Sequence, residues 1–178
     1  LRINEQGIGV LKGFEKLRLV PYDDATGKDI TDWSKVKGYA TVGWGHKIRP
    51  SEKHLRKPIT REMADKIQAG DVAEAERAVN AKVKVKLNDN QFSALVCFVF
   101  NVGGEIFSED TCTLLRLLNQ GSYDAVPAQL LRWNKTTIQG HKVESAGLTR
   151  RRWAERKLWL TDTAFIPVVP AESAKVTA

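Results

Sequence analysis

Apolar residues recur three apart over residues 4–19, at Ile8, Leu11, Phe14 and Leu17, which predicts a helix. Pro21 is expected to end it, because proline disfavours helical backbone in the residue before it. From 22 to 46 the pattern changes. Tyr39, Thr41, Val42 and Trp44 favour strands, and Gly27, Gly38, Gly43 and Gly45 punctuate them. The stretch reads as a twisted hairpin or small sheet with an extended loop near 25–38. Residues 47–59 are polar and basic and form a crossing. Thr60 then caps a long helix running to about Val83, with Met63, Ile67, Val72, Ala75 and Val79 three to five apart and Gly70 as its weak point.

Asn88 and Gln91 have capping-box spacing. The segment that follows, FSALVCFVFNVGG, is apolar almost all round, as suits a helix at the centre of a bundle. Gly103 and Gly104 end it. Asp110 starts a further helix that Gly121 stops. Ser122 caps another, in which Pro127 is tolerable only near the first turn. Residues 134–146 read as a loop, and Leu148 to Leu160 as a last helix that packs through Trp153, Ala154, Leu158 and Trp159. Residues 161–178 carry two prolines and no periodicity, and predict an extended tail.

With 178 residues the chain can bury a sizeable core. The longest apolar stretch, Ala94 to Phe100, is too short to span a bilayer, and the first ten residues are neither basic nor apolar enough for a secretory signal. Neither element is expected within the sequence, which opens on Leu1 rather than methionine. The net charge of +7 suits either general solubility or an anionic partner: nucleic acid, membrane or cell-wall polymer. The two cysteines, Cys97 and Cys112, make neither a disulfide framework nor a metal-site spacing. Cys97, inside SALVCFVF, reads as a small buried hydrophobe.

Candidate chemistry concentrates near the start of the chain. Glu15 lies at the end of the first helix, Asp24 nine residues later on the hairpin, and Thr41 on its return strand. A single glutamate on a helix is usually solvated, but two carboxyls and a hydroxyl so placed form a compact acid–base set. Asp23 is the rival of Asp24; on a strand the two point to opposite sides.

Four blocks, in order, resemble the phage-type lysozymes. The first is Phe14-Glu15, then Asp24 after eight residues, followed by TVGWGH at 41–46. The others are NQFSALVCFVFNVG at 90–103, TLLRLLNQG at 113–121, and RWNK at 132–135 with GLTRRRWAERKLW at 147–159. In the commonest family pattern only a few residues part the aspartate from the threonine. Here seventeen positions separate Asp24 from Thr41, with Gly27 to Lys37 as an apparent insertion at the hairpin tip, which leaves the site intact if it loops outward. Thr26 and Thr31 are therefore alternatives, and the TVGWGH context favours Thr41. The resemblance implies an α+β, lysozyme-like fold and a single catalytic domain over 1–160. Its N-terminal lobe would span about 12–60, its linking helix about 60–83 and its helical lobe about 84–160, the last packed with helix 4–19. It also implies hydrolysis of the β-1,4 bond between N-acetylmuramic acid and N-acetylglucosamine in peptidoglycan.

That chemistry uses two carboxyl groups flanking the bond. Glu15 would be the general acid, kept protonated near neutrality by partial burial. Asp24, more solvated, would stay ionised to stabilise charge or act on a water positioned by Thr41. The resemblance points to inversion, which calls for a carboxyl gap of about 6.5–9.5 Å. His46 is expected to be structural, hydrogen-bonded beneath the site. Trp44 either packs or stacks on a sugar. Asn101 and Gly103 are placed at the cleft as substrate contacts or a helix end, Asn134 near it, and Trp133 in the core. Arg150, Arg151 and Arg152, with Arg156 and Lys157, form either a solvated face or a contact for anionic wall polymer, lipopolysaccharide or membrane, and one arginine is available to pair with Glu15. No cofactor or metal is implied. The resemblance further implies a monomer made in the host cytoplasm and acting on peptidoglycan in the periplasm, with a holin giving access to the wall. A lytic transglycosylase or a tail-associated wall hydrolase is the nearest alternative. A basic nucleic-acid-binding helical module is the alternative of a different class, and no helix-turn-helix or zinc pattern supports it.

Overall fold

The computed structural model describes residues 1–138 and 140–161. The expected tail, beyond Thr161, lies outside the described residues. The first helix, α1, is Glu5–Phe14, capped by the Asn4 side chain on the Gly7 amide. It is shorter than the expected 4–19. Glu15 is already extended, with φ −96° and ψ 138°, because Leu17 turns away to pack with a small cluster of Val42, Leu55, Ile59 and Ala64. The three-residue spacing of Leu17 is coincidental. Strand β1, Arg18–Asp23, contains Pro21, which therefore does not follow a helix. The strand stands at one edge of the sheet, where a missing N–H is tolerated.

Strands β2 (Ala40–Gly43) and β3 (His46–Lys47) complete an antiparallel sheet of order β1-β2-β3. Tyr22 lies opposite Thr41, and Thr41 opposite Lys47; Asp23 lies opposite Ala40, and Val42 opposite His46. Cross-strand partners share a face and neighbours alternate. Asp23, Ala40, Val42 and His46 therefore form one face, and Tyr22, Thr41 and Lys47 the other. The first face is covered by the long helix α2, Arg61–Lys82, through Ala64 packed near Val42 and Asp71 bonded to His46. Thr60 caps α2 as expected, accepting from the Met63 amide, and the helix continues through Gly70.

The inserted residues do not swing outward. The Ile30 amide donates to Pro21 O, the Asp23 amide to Lys28 O, and Asp29 bridges to Tyr22. The loop thus returns along the free edge of β1. Asp23 anchors its far end by accepting from the Ala25, Lys37 and Gly38 amides at 3.1, 3.0 and 2.9 Å.

Helix α3, Asp89–Val102, has the expected Asn88–Gln91 capping box and ends at Gly103. It is the hub of the larger core, with α1, α2 and α6 (Ala146–Leu160) packed on it. Leu95, Phe98 and Val99 meet Leu114 and Leu118 of α4 (Thr113–Asn119), Leu130 of α5 (Val126–Leu131) and Trp159 of α6. Helix α4 starts three residues later than Asp110, with no side-chain cap. Ser122 makes no capping bond either, because a 3-10 turn at Tyr123–Ala125 precedes α5 and leaves Pro127 in the first turn. Cys97 and Cys112 are free and buried. Residues 134–146 are not a plain loop: β4 (Lys135–Ile138) and β5 (His141–Glu144) pair antiparallel. Gly140, at φ +82°, supplies the left-handed residue that tight hairpins demand.

Candidate active site

The end of α1 delivers Glu15. Its Oε1 accepts from Arg151 Nη1 at 2.6 Å, an ion pair in which the two side chains are 14% and 6% exposed. Arg151 also touches Glu155 Oε1, which takes a second bond from Arg152 Nη2 at 2.8 Å. Arg152 in turn donates to Asn101 Oδ1 at 2.8 Å. A chain of charge thus runs from Glu15 through α6 to the last turn of α3. Burial pushes the Glu155 carboxyl up to about 7 although both arginines pull it down. Arg151 and Arg152 are accordingly buried, at 5% and 0% exposure, and do not form the anionic-surface contact expected of them. Of the three arginines Arg150 alone is exposed. The reason is packing: two successive residues of α6 both turn inward to meet Glu155, one turn on.

The other oxygen of Glu15 faces the β2–β3 turn. A Cβ on Gly45, which has φ +89°, would stand 2.8 Å from Glu15 Oε2. Only glycine suits both the left-handed backbone and the proximity of the carboxylate. Sequence reading counted Gly45 as a strand breaker and missed this second role.

Asp24 is exposed, one residue beyond β1. Its Oδ1 accepts from the Tyr39 amide at 2.7 Å, and its own amide donates to Tyr39 O. Asp24 and Tyr39 thus continue the pairing of Tyr22 with Thr41 and share that face. Gly38 leaves room for this, because a Cβ there would collide with Asp24 Oδ1. Asp23 points the other way, and the Lys37 amide, with those of Gly38 and Ala25, holds its carboxyl below the ordinary carboxylate range despite burial. A carboxylate so fully engaged is a structural anchor, which leaves Asp24 as the available one.

Thr41 is buried at 3% exposure and donates its hydroxyl to Tyr39 O at 3.1 Å. Thr31 lies in the insertion and Thr26 in the turn just before it. Tyr22, which sequence reading did not single out, lies opposite Thr41 in the sheet. Burial pushes its phenol above the ordinary value, Arg18 pulls it down, and Glu15 and Asp24 both push it up. Both carboxyls are thus within electrostatic reach of the phenol of one residue, the cross-strand partner of Thr41.

His46 is buried between Asp71, 2.9 Å from Nδ1, and Glu52, 2.9 Å from Nε2. It lies beneath the sheet, on the face away from Asp24. Trp44 is fixed to α2 by its indole N–H on Asp65 Oδ1 at 2.7 Å and packs with the small cluster. Trp133 meets Phe98 edge-on, with 5.4 Å between ring centroids. Asn101 is tied to Arg152, and Gly103, exposed at φ +94°, ends α3. Asn134 closes the base of the β4–β5 hairpin: its Nδ2 donates to Thr149 Oγ1 and its carbonyl accepts from Ser145. Bonds thus link Asn101 to Glu15 through the arginines, but join neither Gly103 nor Asn134 to the acid–base set.

Among the described residues no helix is long and apolar enough to cross a membrane. The Phage lysozyme family model matches residues 12–155. The chain is 33% identical over 159 residues to an endolysin of Acyrthosiphon pisum secondary endosymbiont phage 1, covering 89% of this chain and 98% of that protein. It spans only about half, 55%, of the endolysin of Bacillus phage B103. Among solved structures it is similar to an endolysin from Escherichia coli O157:H7 phage FAHEc1, with TM-score 0.72, 31% identity, and coverage of 90% of this chain and 94% of that one. The muramidase domain of SpmX from Asticaccaulis excentricus is similar with TM-score 0.71 and 31% identity, over 90% and 99% of the two chains. The fold of α1, three-stranded sheet, linking helix and helical lobe is thus shared with phage endolysins of known structure, and the chain belongs to the phage lysozyme family.

Proposed function

We propose that this chain is an endolysin that hydrolyses the β-1,4 bond between N-acetylmuramic acid and N-acetylglucosamine in bacterial peptidoglycan. The supporting observation is the placement of the two carboxyls: Glu15 at the end of α1, with one oxygen on Arg151 and the other beside the β2–β3 turn, and Asp24 exposed on the α2-free face of the sheet that also carries Thr41. Glu15 is the general acid. Arg151 occupies Oε1, so Oε2, beside Gly45, is the oxygen left to carry the proton to the leaving group. Asp24, exposed and oriented by the Tyr39 amide, is the ionised partner that stabilises positive charge on the sugar or activates water. The Thr41 hydroxyl spends its proton on Tyr39 O and keeps lone pairs to accept from that water. Asn101, Gly103 and Asn134 border the substrate on the helical side. In its setting the enzyme lyses the host and releases phage, reaching the wall with the help of a holin.

A zymogram on purified peptidoglycan, followed by mass spectrometry of the released muropeptides, tests this reading. Wild type should clear the wall and leave reducing ends, and Glu15→Gln should lose on the order of a thousandfold or more in rate, the range of a lost general acid. Anhydro ends would instead identify a lytic transglycosylase. Full activity in Glu15→Gln would remove the assignment.

A further inference from the structure

Tyr39 is 61% exposed, although its backbone is the most heavily used near the site. Its amide holds Asp24, and its carbonyl accepts from both the Asp24 amide and the Thr41 hydroxyl. Its ring is met by Lys47, whose Nζ lies 4.1 Å from the ring centroid. Lys47 stands opposite Thr41 in the sheet register, so Asp24, Tyr39, Thr41 and Lys47 share the face that α2 leaves free. Among the described residues no carboxylate forms an ion pair with Lys47. An exposed aromatic face and an unpaired cation beside a candidate catalytic carboxylate offer both halves of a recognition site: a flat apolar surface and a charge that fixes orientation.

Resting on the hydrolase reading above, we infer that Tyr39 and Lys47 form a subsite for a glycan unit bearing a carboxylate substituent, with the sugar against the tyrosine ring and the carboxylate on the lysine ammonium. In peptidoglycan this unit is a muramoyl sugar whose lactyl carboxyl is taken up in the amide bond to the stem peptide, so the carboxylate offered to Lys47 is a free one on that peptide. The site selects charged wall glycan over an uncharged polymer of the same backbone. It also sets register: once the carboxylate is on Lys47, the chain is placed relative to Asp24, whose position depends on the backbone of the same tyrosine.

The test compares native peptidoglycan with the same wall after amidation of its carboxyl groups. Lys47→Met removes the charge that lies over the ring and keeps an unbranched side chain. It should raise KM on native wall about tenfold, the size expected for a charged hydrogen bond, leave kcat within twofold, and change nothing on amidated wall. Tyr39→Ala should raise KM on both walls. Lys66→Met, an exposed lysine on α2, controls for general attraction between a basic protein and an anionic wall, and should move neither. The inference is overturned if Lys47→Met leaves KM on native wall unchanged, shifts it equally on both walls, or acts no more strongly than Lys66→Met. These outcomes leave the hydrolase reading standing as long as wild type cuts the wall and Glu15→Gln does not; a wild-type protein that cuts neither wall would sink both.

Discussion

Replacing Asp71 with asparagine tests the electrostatics beneath the site. His46 is 8% exposed, and its two nitrogens are clamped by Asp71 and Glu52 at 2.9 Å each. The hydrogen bond to Asp71 raises the imidazole above its ordinary value, burial opposes it, and Glu52 adds to the rise. Burial likewise opposes ionisation of Glu52, but the Arg49 amide and His46 bring its carboxyl below the ordinary value. A hydrogen bond to a charged group contributes about 1.5–3 kcal/mol. The side chains of Asp71 and Glu52 are 25% and 24% exposed, so solvent screens the pair, and asparagine keeps one accepting oxygen. The expected loss is therefore at the low end, about 1.5–2 kcal/mol, or a Tm lower by about 3–8 °C. A histidine whose folded pKa is raised keeps its full contribution below its unfolded pKa of about 6.5 and loses it as pH climbs through the folded value. The deficit of Asp71→Asn should thus be largest near pH 5.5 to 6 and shrink steadily from about pH 6.5 upward, leaving only the difference between two neutral hydrogen bonds. Urea unfolding followed by tryptophan fluorescence at several pH values measures this directly. A deficit that stays constant to pH 10, or grows, would refute the charged clamp.

Two further outcomes follow from the site. Gly45→Ala should place a methyl group against Glu15 Oε2 and force a residue with a side chain to φ +89°; activity on peptidoglycan should fall about a hundredfold from the displaced carboxyl, while stability falls by only about 1–2 kcal/mol. For Glu155 the pH dependence has the opposite origin. Its carboxyl is raised to about 7 by burial, so ionising it weakens the folded state as pH rises from its unfolded value of about 4.3 toward 7. Glu155→Gln, which mimics the neutral form, should show its greatest stability deficit near pH 5 and a smaller one at pH 8. Denaturant titrations at the two values measure it, and a deficit larger at pH 8 would contradict the buried-acid assignment.

Signals carried by neighbouring residues were legible in the chain alone. The Asn88–Gln91 capping box, the Thr60 cap and the all-round apolar α3 follow from local hydrogen bonding and from the need to bury a helix with no polar face. The proposed acid–base trio could be singled out because TVGWGH and the Glu15–Asp24 spacing form short blocks. Where periodicity misled, at Leu17, a second hydrophobic cluster competed with the helix. Where it was silent, at 134–146, a two-stranded hairpin whose strand residues 135–137 and 141–144 are all exposed carried no alternation to detect.

What local pattern could not decide was which charges turn inward. Arg150, Arg151 and Arg152 are identical side chains in a row, and the chain alone offers one arginine of this helix to Glu15 without saying which. Their fates part because α6 docks on α3 with Glu155 inside, and a buried carboxylate selects the two arginines that can reach it. One of these then extends to Glu15, 136 positions away. Likewise Asp23 and Asp24 differ only in the face each takes, which follows from a sheet with one side covered by α2. The sequence by itself determined which residue types were available and which helices they would form. Tertiary packing decided their partners, because burial makes an unpaired charge costly and so imposes long-range pairings that no local pattern contains.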